Sequence, residues 1–322
     1  MFDSMDRAFG NHNEVFGLTV PAASEDVSRI LDKNPKGKIH SVFTNSFNLA
    51  FGEELIHVGA VENGLAPFGM GLDQATAKHL TKLMSVNQAV YWDKRSMSII
   101  LPGGIFLLLS QVKWTDHRMR QLDGERSYLK DNFEFVASRL LKADWQTGLA
   151  ETEEEKKRIV DYLLDSSSSD EGNLVLEKLE SLQKLVSHPG DLDAKQVFDY
   201  WIGRGLGLTP SGDDCITGIC AALSALEGTD QTFRQQLKSY LAEHGRKRTT
   251  HIALEYLLYA TENKFHSHLL ELCYVMDKPR GTEFLHALEE MKKMGHTSGT
   301  DTLVGVLMGI KAAVLLKKRK EG

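Results

Sequence analysis

The hydrophobic period of this chain changes once, near residues 115–127, and that change restricts the folds open to it. From Val15 to Val112 apolar residues fall in short runs cut by turn residues, the pattern of strands. The expected strands are IHSVF (Ile39 to Phe43), FNLAF (Phe47 to Phe51), LIHVG (Leu55 to Gly59), AVYW (Ala89 to Trp92), MSIIL (Met97 to Leu101) and IFLLL (Ile105 to Leu109). Asn63-Gly64, Pro67 and Pro102-Gly103-Gly104 supply turns, and one helix interrupts the set near Asp73 to Ser85. After Ser127 the period is helical: Tyr128, Phe133, Val136, Leu140 and Leu141 share one face. Further helices are expected near Leu174–Val186, Gln196–Gly203, Cys215–Leu226, Phe233–His244, Thr250–Glu262, Phe265–Val275, Phe284–Met294 and Thr302–Lys317. The polar break Ser166 to Gly172 reads as a loop. The prediction is therefore an α+β chain, with a strand-rich domain over residues 1–125 and an all-helical domain over 126–322.

With 42% hydrophobic and 25% charged residues in 322, the chain has the composition of a folded globular enzyme. A net charge of −6 with dispersed basic residues argues against a nucleic-acid partner, and the run Lys317 to Lys320 reads as the solvated end of the last helix. Cys215, Cys220 and Cys273 lie in apolar surroundings without Cys-x-x-Cys spacing, as buried thiols of a reducing compartment do. Met1 to Asn13 lacks the pattern of a signal peptide, and no apolar stretch reaches membrane-spanning length. The expectation is a cytoplasmic protein without a membrane partner.

Chemistry concentrates in Gly203-Arg-Gly-Leu-Gly-Leu-Thr-Pro-Ser-Gly-Asp-Asp214, which runs into an apolar helix. Thr209 suits the N-cap and Pro210 the first helical position, leaving the amides of Ser211 and Gly212 open to an anion. Gly203, Gly205 and Gly207 let the incoming loop turn tightly. A second segment, Gly295-His-Thr-Ser-Gly-Thr-Asp301, repeats the design: Ser211 and Ser298, Gly212 and Gly299, Asp214 and Asp301, and Gly218 and Gly305 are each 87 positions apart. One S-G-x-D arises often from capping alone; two in register with a helix glycine predict adjacent helices whose starts open on one small-anion site, with Gly218 and Gly305 permitting close approach.

Asp213, Asp214 and Asp301 would repel an anion unless they cap their helices, hold a bridging divalent cation, or accept hydrogen bonds from substrate N–H groups. Arg248, with Thr249 and Thr250, is read as opening the helix that continues to Glu262 and as gripping a phosphate or carboxylate. His296 is an acid–base or ligand candidate beside Ser298, Gly299 and Thr300. His266 and His268, two apart, do not make a helical metal pair.

GLGLTPSGDD, the Arg248–Thr250 RTT and GHTSGTD, together with SFNLAFGEELIHVG and PFGMGLD, resemble a bacterial family associated with a subunit of oxamate carbamoyltransferase. The resemblance spans most of the chain. It implies a role in purine (allantoin) catabolism, where oxalurate and phosphate become oxamate and carbamoyl phosphate in an assembly of different subunits. On that reading Asp213, Asp214, Arg248 and Asp301 serve the chemistry. Thr209, Ser211, Gly212, Thr249, Thr250, His296, Ser298, Gly299 and Thr300 bind substrate, with no cofactor unless a divalent metal sits at the aspartates. SGDD and SGTDT are also similar to the metal-binding motifs of ADP-ribosylglycohydrolases, which would make the chain a metal-dependent hydrolase. A non-catalytic metabolite-binding subunit is the third reading.

Overall fold

A computed structural model of the chain describes residues 16–122, 127–164, 174–226 and 231–320. The expected loop at Ser166 to Gly172 and the expected domain join at 125–126 lie outside the described residues, as does Met1 to Asn13. The chain divides into two compact units, one ending at His117 and the other beginning at Arg118.

The first unit is strand-rich. Its elements are β1 (Phe16–Thr19), β2 (Ala22–Ser24), α1 (Glu25–Lys33), β3 (Lys36–Val42), β4 (Phe47–Phe51), β5 (Glu54–Ala60), β6 (Gly69–Leu72), α2 (Gln74–Leu83), β7 (Ala89–Asp93), β8 (Ser98–Leu101), β9 (Ile105–Leu108) and β10 (Lys113–Thr115). The strands form one mixed sheet in the order β1-β9-β8-β7-β3-β4-β5-β6-β2-β10. β1 and β2 are two halves of one segment divided at Val20-Pro21, and β9 and β10 are likewise close in sequence. Val20 N–H donates to the Leu108 carbonyl and Lys113 N–H to the Pro21 carbonyl, so both segments stay paired across their breaks. The two ends of the strand order thus meet through residues 16–24, and the sheet curls on itself. Every residue of β4 is buried, which is why FNLAF is apolar almost throughout instead of alternating. Ser24 caps α1 by accepting from the Asp26 amide, and Val27, Ile30 and Leu31 turn inward.

The second unit is helical: α3 (Leu129–Leu140), α4 (Glu153–Leu164), α5 (Leu174–Ser187), α6 (Ala194–Trp201), α7 (Ser211–Ala225), α8 (Thr232–Arg248), α9 (His251–Thr261), α10 (Ser267–Val275), α11 (Thr282–Glu290) and α12 (Ser298–Lys320). Among its described residues the one extended pairing is an isolated bridge between Arg118 and Lys264. All fifteen residues of α7 are buried. A helix apolar on all sides belongs at the centre of a core, and Ile216, Ile219 and Leu223 each contribute roughly 1.5–3 kcal/mol of burial there. α12 lies against it, with Leu303, Leu307 and Met308 inaccessible to solvent.

One local expectation changes. Arg246, Lys247 and Arg248 do not open α9; they are the last turn of α8, where cations favour the negative end of the helix dipole. Thr250 is the N-cap of α9, accepting from the Ala253 amide at 3.0 Å. α4 is a helix without an apolar stripe obvious in EEEKKRIVDYLL, since it buries the stem of Lys156 beside Ile159, Val160 and Leu163. Cys215, Cys220 and Cys273 are buried free thiols. No described helix is long and apolar enough to cross a membrane.

Candidate functional site

α7 and α12 approach closely enough to require glycine. A Cβ on Gly218 would lie 2.0 Å from the Thr302 carbonyl oxygen, and one on Gly305 would lie 1.9 Å from that of Cys215. Thr302 is the counterpart of Cys215 in the 87-residue offset, so each contact is the image of the other. Farther along, Gly309 packs on Ile219 and Ala222. The two helices therefore run parallel about an approximate two-fold axis, with their N-termini side by side. Two positive dipole ends meet there, an arrangement that favours negative charge between them.

Hydrogen bonds repeat the symmetry. The Ser211 hydroxyl bonds the Asp301 carboxyl, and the Ser298 hydroxyl bonds the Asp214 carboxyl. Each helix start thus holds the acid of the other. Thr209 Oγ1 lies 2.9 Å from Ser298 Oγ and also bonds Asp214, which corrects its assignment as N-cap. The helix begins after Pro210, whose carbonyl accepts from the amides of Asp213 (2.9 Å) and Asp214 (3.1 Å). Asp213 accepts from the Gly203 amide at 2.9 Å and from the Thr249 hydroxyl, tying the glycine loop to the α8–α9 turn. Thr250 adds a second tie by donating to the Leu208 carbonyl. These aspartates act between segments, and capping of their own helices does not account for them.

The amides at the two starts differ. Gly212 N–H donates to the Arg204 carbonyl at 2.9 Å, which corrects the expectation that this amide stands open. Among the described residues the backbone amides of Ser211, Ser298, Gly299 and Thr300 have no acceptor. Three of these four open donors belong to the first turn of α12, the ordinary orphans of a helix start.

Burial dominates the acids. It raises the Asp213 carboxyl to about 6, against the Thr249 and Gly203 bonds and the positive charge of Arg248. Asp214 is raised well above the usual carboxylate range, first by burial and then by the neighbouring Asp301 charge. Its Oδ2 is buried with no hydrogen-bond partner. Asp301, wholly buried, is raised by desolvation despite bonds from Thr147, Ser211 and Thr297 and from the Gly148 amide. Thr147 Oγ1 stands 2.5 Å and Gly148 N 3.0 Å from Asp301 Oδ1. Raised to about 6, the Asp213 carboxyl exchanges its proton near neutral pH, and a buried carboxyl, when protonated, can donate a hydrogen bond.

The other expected residues are distributed unevenly around this centre. Thr300 is buried in the first turn of α12, and His296 is exposed in the turn before it. Arg248 is exposed, with its guanidinium donating to the Asp199 carbonyl and its charge acting on Asp213 at the start of α7. Among the described residues no three His, Cys, Asp or Glu side chains converge as a metal site would require. Thr147 and Gly148 join the site without having been read from the sequence. A Cβ on Gly148 would strike Ser211 Oγ at 2.2 Å, so the turn before α4 is pressed against the Ser211–Asp301 pair.

No solved structure matches the chain. Two family models do: one described as the AllH family N-terminal domain matches residues 19–113, and one described as oxamate carbamoyltransferase subunit AllH matches residues 201–310, the stretch holding both helix starts. Together they cover well over half of the chain, from the curled sheet to the paired helices. The chain belongs to the AllH family of oxamate carbamoyltransferase subunits.

Proposed function

We propose that this chain is a cytoplasmic subunit of a hetero-oligomeric carbamoyltransferase, interconverting oxalurate and phosphate with oxamate and carbamoyl phosphate in allantoin breakdown. The observation that carries the reading is the reciprocal Ser211–Asp301 and Ser298–Asp214 coupling at two parallel helix starts. Carbamoyl transfer needs a place where a carbonyl oxygen can become negative, and open amides at paired positive dipole ends meet that need. In the synthetic direction the oxamate nitrogen attacks the carbamoyl carbon, and the carbonyl oxygen gathers charge toward the amides of Ser298, Gly299 and Thr300. The carbon–oxygen bond to phosphate then breaks, and phosphate leaves with that electron pair. The proton lost by the nitrogen passes to a carboxylate, with Asp213 and Asp214 as the candidates, and onward to the departing phosphate. Proton uptake by these acids also lowers the repulsion an incoming anion meets.

The metal-dependent hydrolase reading has no converging donor set among the described residues to rest on. The test is phosphorolysis of oxalurate, followed as carbamoyl phosphate, with the chain alone, its partner polypeptides alone, and the reconstituted assembly. Activity is expected only in the assembly, and Ser298→Ala in this chain should lower kcat at least about tenfold with assembly intact. Full activity without this chain, or an unaffected Ser298→Ala assembly, would remove it from the chemistry and leave a non-catalytic subunit.

A further inference from the structure

A second binding site is built away from the helix starts, between α3 and the segment that leads into α11. A cavity of about 620 Å³ there is walled by Tyr128, Phe135, Arg139, Pro279, Arg280 and Leu285, within the roughly 300–1,000 Å³ usual for small-molecule sites. Its two walls are pinned together. The buried Asn132 side chain donates to the carbonyls of Met276 (3.0 Å) and Lys278 (2.8 Å), fixing the approach to Arg280. Phe135 is held in turn by an edge contact with Phe284, ring centroids 5.9 Å apart.

The guanidiniums of Arg139 and Arg280 stand 5.1 and 5.0 Å from the centroid of that one ring. They are therefore at most about 10 Å apart, about one Debye length at 0.1 M salt, so their repulsion is only partly screened. Neither arginine has a carboxylate partner among the described residues, and Asp131, the acid in the lining, pairs with neither. Lys278 is engaged elsewhere, on Glu283 at 3.5 Å and over the Tyr274 ring. Two unneutralised planar cations on a protein of net charge −6 attract a dianion, and guanidiniums bind phosphate oxygens in pairs. Tyr128 and Leu285, each 43% exposed, add apolar walls that suit a flat ring.

We propose that this cavity binds an aromatic organic phosphate, with the phosphate between Arg139 and Arg280 and the ring against Tyr128 and Leu285. Calorimetric titration of the full chain at fixed ionic strength tests it, with adenosine monophosphate and phenyl phosphate as probes and adenosine and inorganic phosphate as controls. At least one probe should bind, and each control should bind at least about tenfold more weakly. Arg139→Gln and Arg280→Gln should each weaken the probe roughly tenfold or more while leaving Tm unchanged. If neither probe binds, or if the double variant binds as the wild type does, the assignment is wrong; a probe held at the helix starts would give that second result.

Discussion

At the start of α7 the Gly212 amide is donated to the Arg204 carbonyl, and Asp214 keeps one buried oxygen unbonded. At the start of α12 the amides of Ser298, Gly299 and Thr300 are open, and Asp301 is surrounded by donors from Thr147, Gly148 and Ser211. One Ser-Gly-x-Asp pattern therefore yields two different ends. α7 offers an acid with spare capacity, and α12 offers donors. Serines crossing between them hold these unlike functions side by side. A duplicated motif in a symmetric helix pair can thus separate acid and donor roles, provided the chain entering each helix differs.

The largest expected effect tests whether the pair is interlocked at all. Gly305→Ala places a Cβ against the Cys215 carbonyl, with helix backbone on both sides and no flexible side chain to yield. A loss of at least about 3 kcal/mol is expected, a fall in Tm of roughly 10 °C or failure to fold. Gly190→Ala, where a Cβ meets nothing within 4 Å, should leave Tm unchanged.

Next comes the proton inventory around the starts. The Asp213 carboxyl is raised from 3.8 to about 6, so its contribution to stability is fully present below 3.8 and is lost as pH rises through 6. That contribution is on the order of 3 kcal/mol. Denaturant titrations from pH 4 to 7 should show stability falling as pH rises, with a shallower slope in Asp213→Asn. A slope unchanged by Asp213→Asn would place the titration elsewhere.

A smaller contrast separates the two motif acids. Asp301→Asn replaces an acceptor by an NH2 facing the donors of Thr147, Gly148 and Ser211, at a cost of roughly 1–3 kcal/mol. Asp214→Asn removes a buried acid that the Asp301 charge already opposes, and at pH 7 it should be neutral or stabilising. Equal losses in the two variants would mean that the ends are equivalent.

Much of the frame is legible in the sequence. FNLAF is read with its observed ends, and the 87-residue offset announces adjacent helices. What escapes has physical causes. β2 and β10 are three residues each, too short for a period, and are specified by long-range pairing with each other. α8 runs on through Arg246–Arg248 because these are good helix formers suited to a C-terminal turn, so the basic run does not open the next helix. Thr147 and Gly148 carry no local signal, since their role exists only where their turn meets Asp301, 154 and 153 residues away. The difference between the two starts is hidden for a similar reason: Gly212 loses its amide to a carbonyl supplied by the glycine loop, and the matching positions before Ser298 supply none.

Amide NMR reads that difference most directly. In ¹H–¹⁵N spectra of the full chain titrated with carbamoyl phosphate, and separately with oxamate, the account predicts saturable shifts at Ser298, Gly299 and Thr300. The Gly212 amide, already bonded to Arg204, should move little. Amides of the α12 start that stay unmoved at saturation, or a Gly212 shift as large as theirs, would contradict the assignment of the donor role to α12.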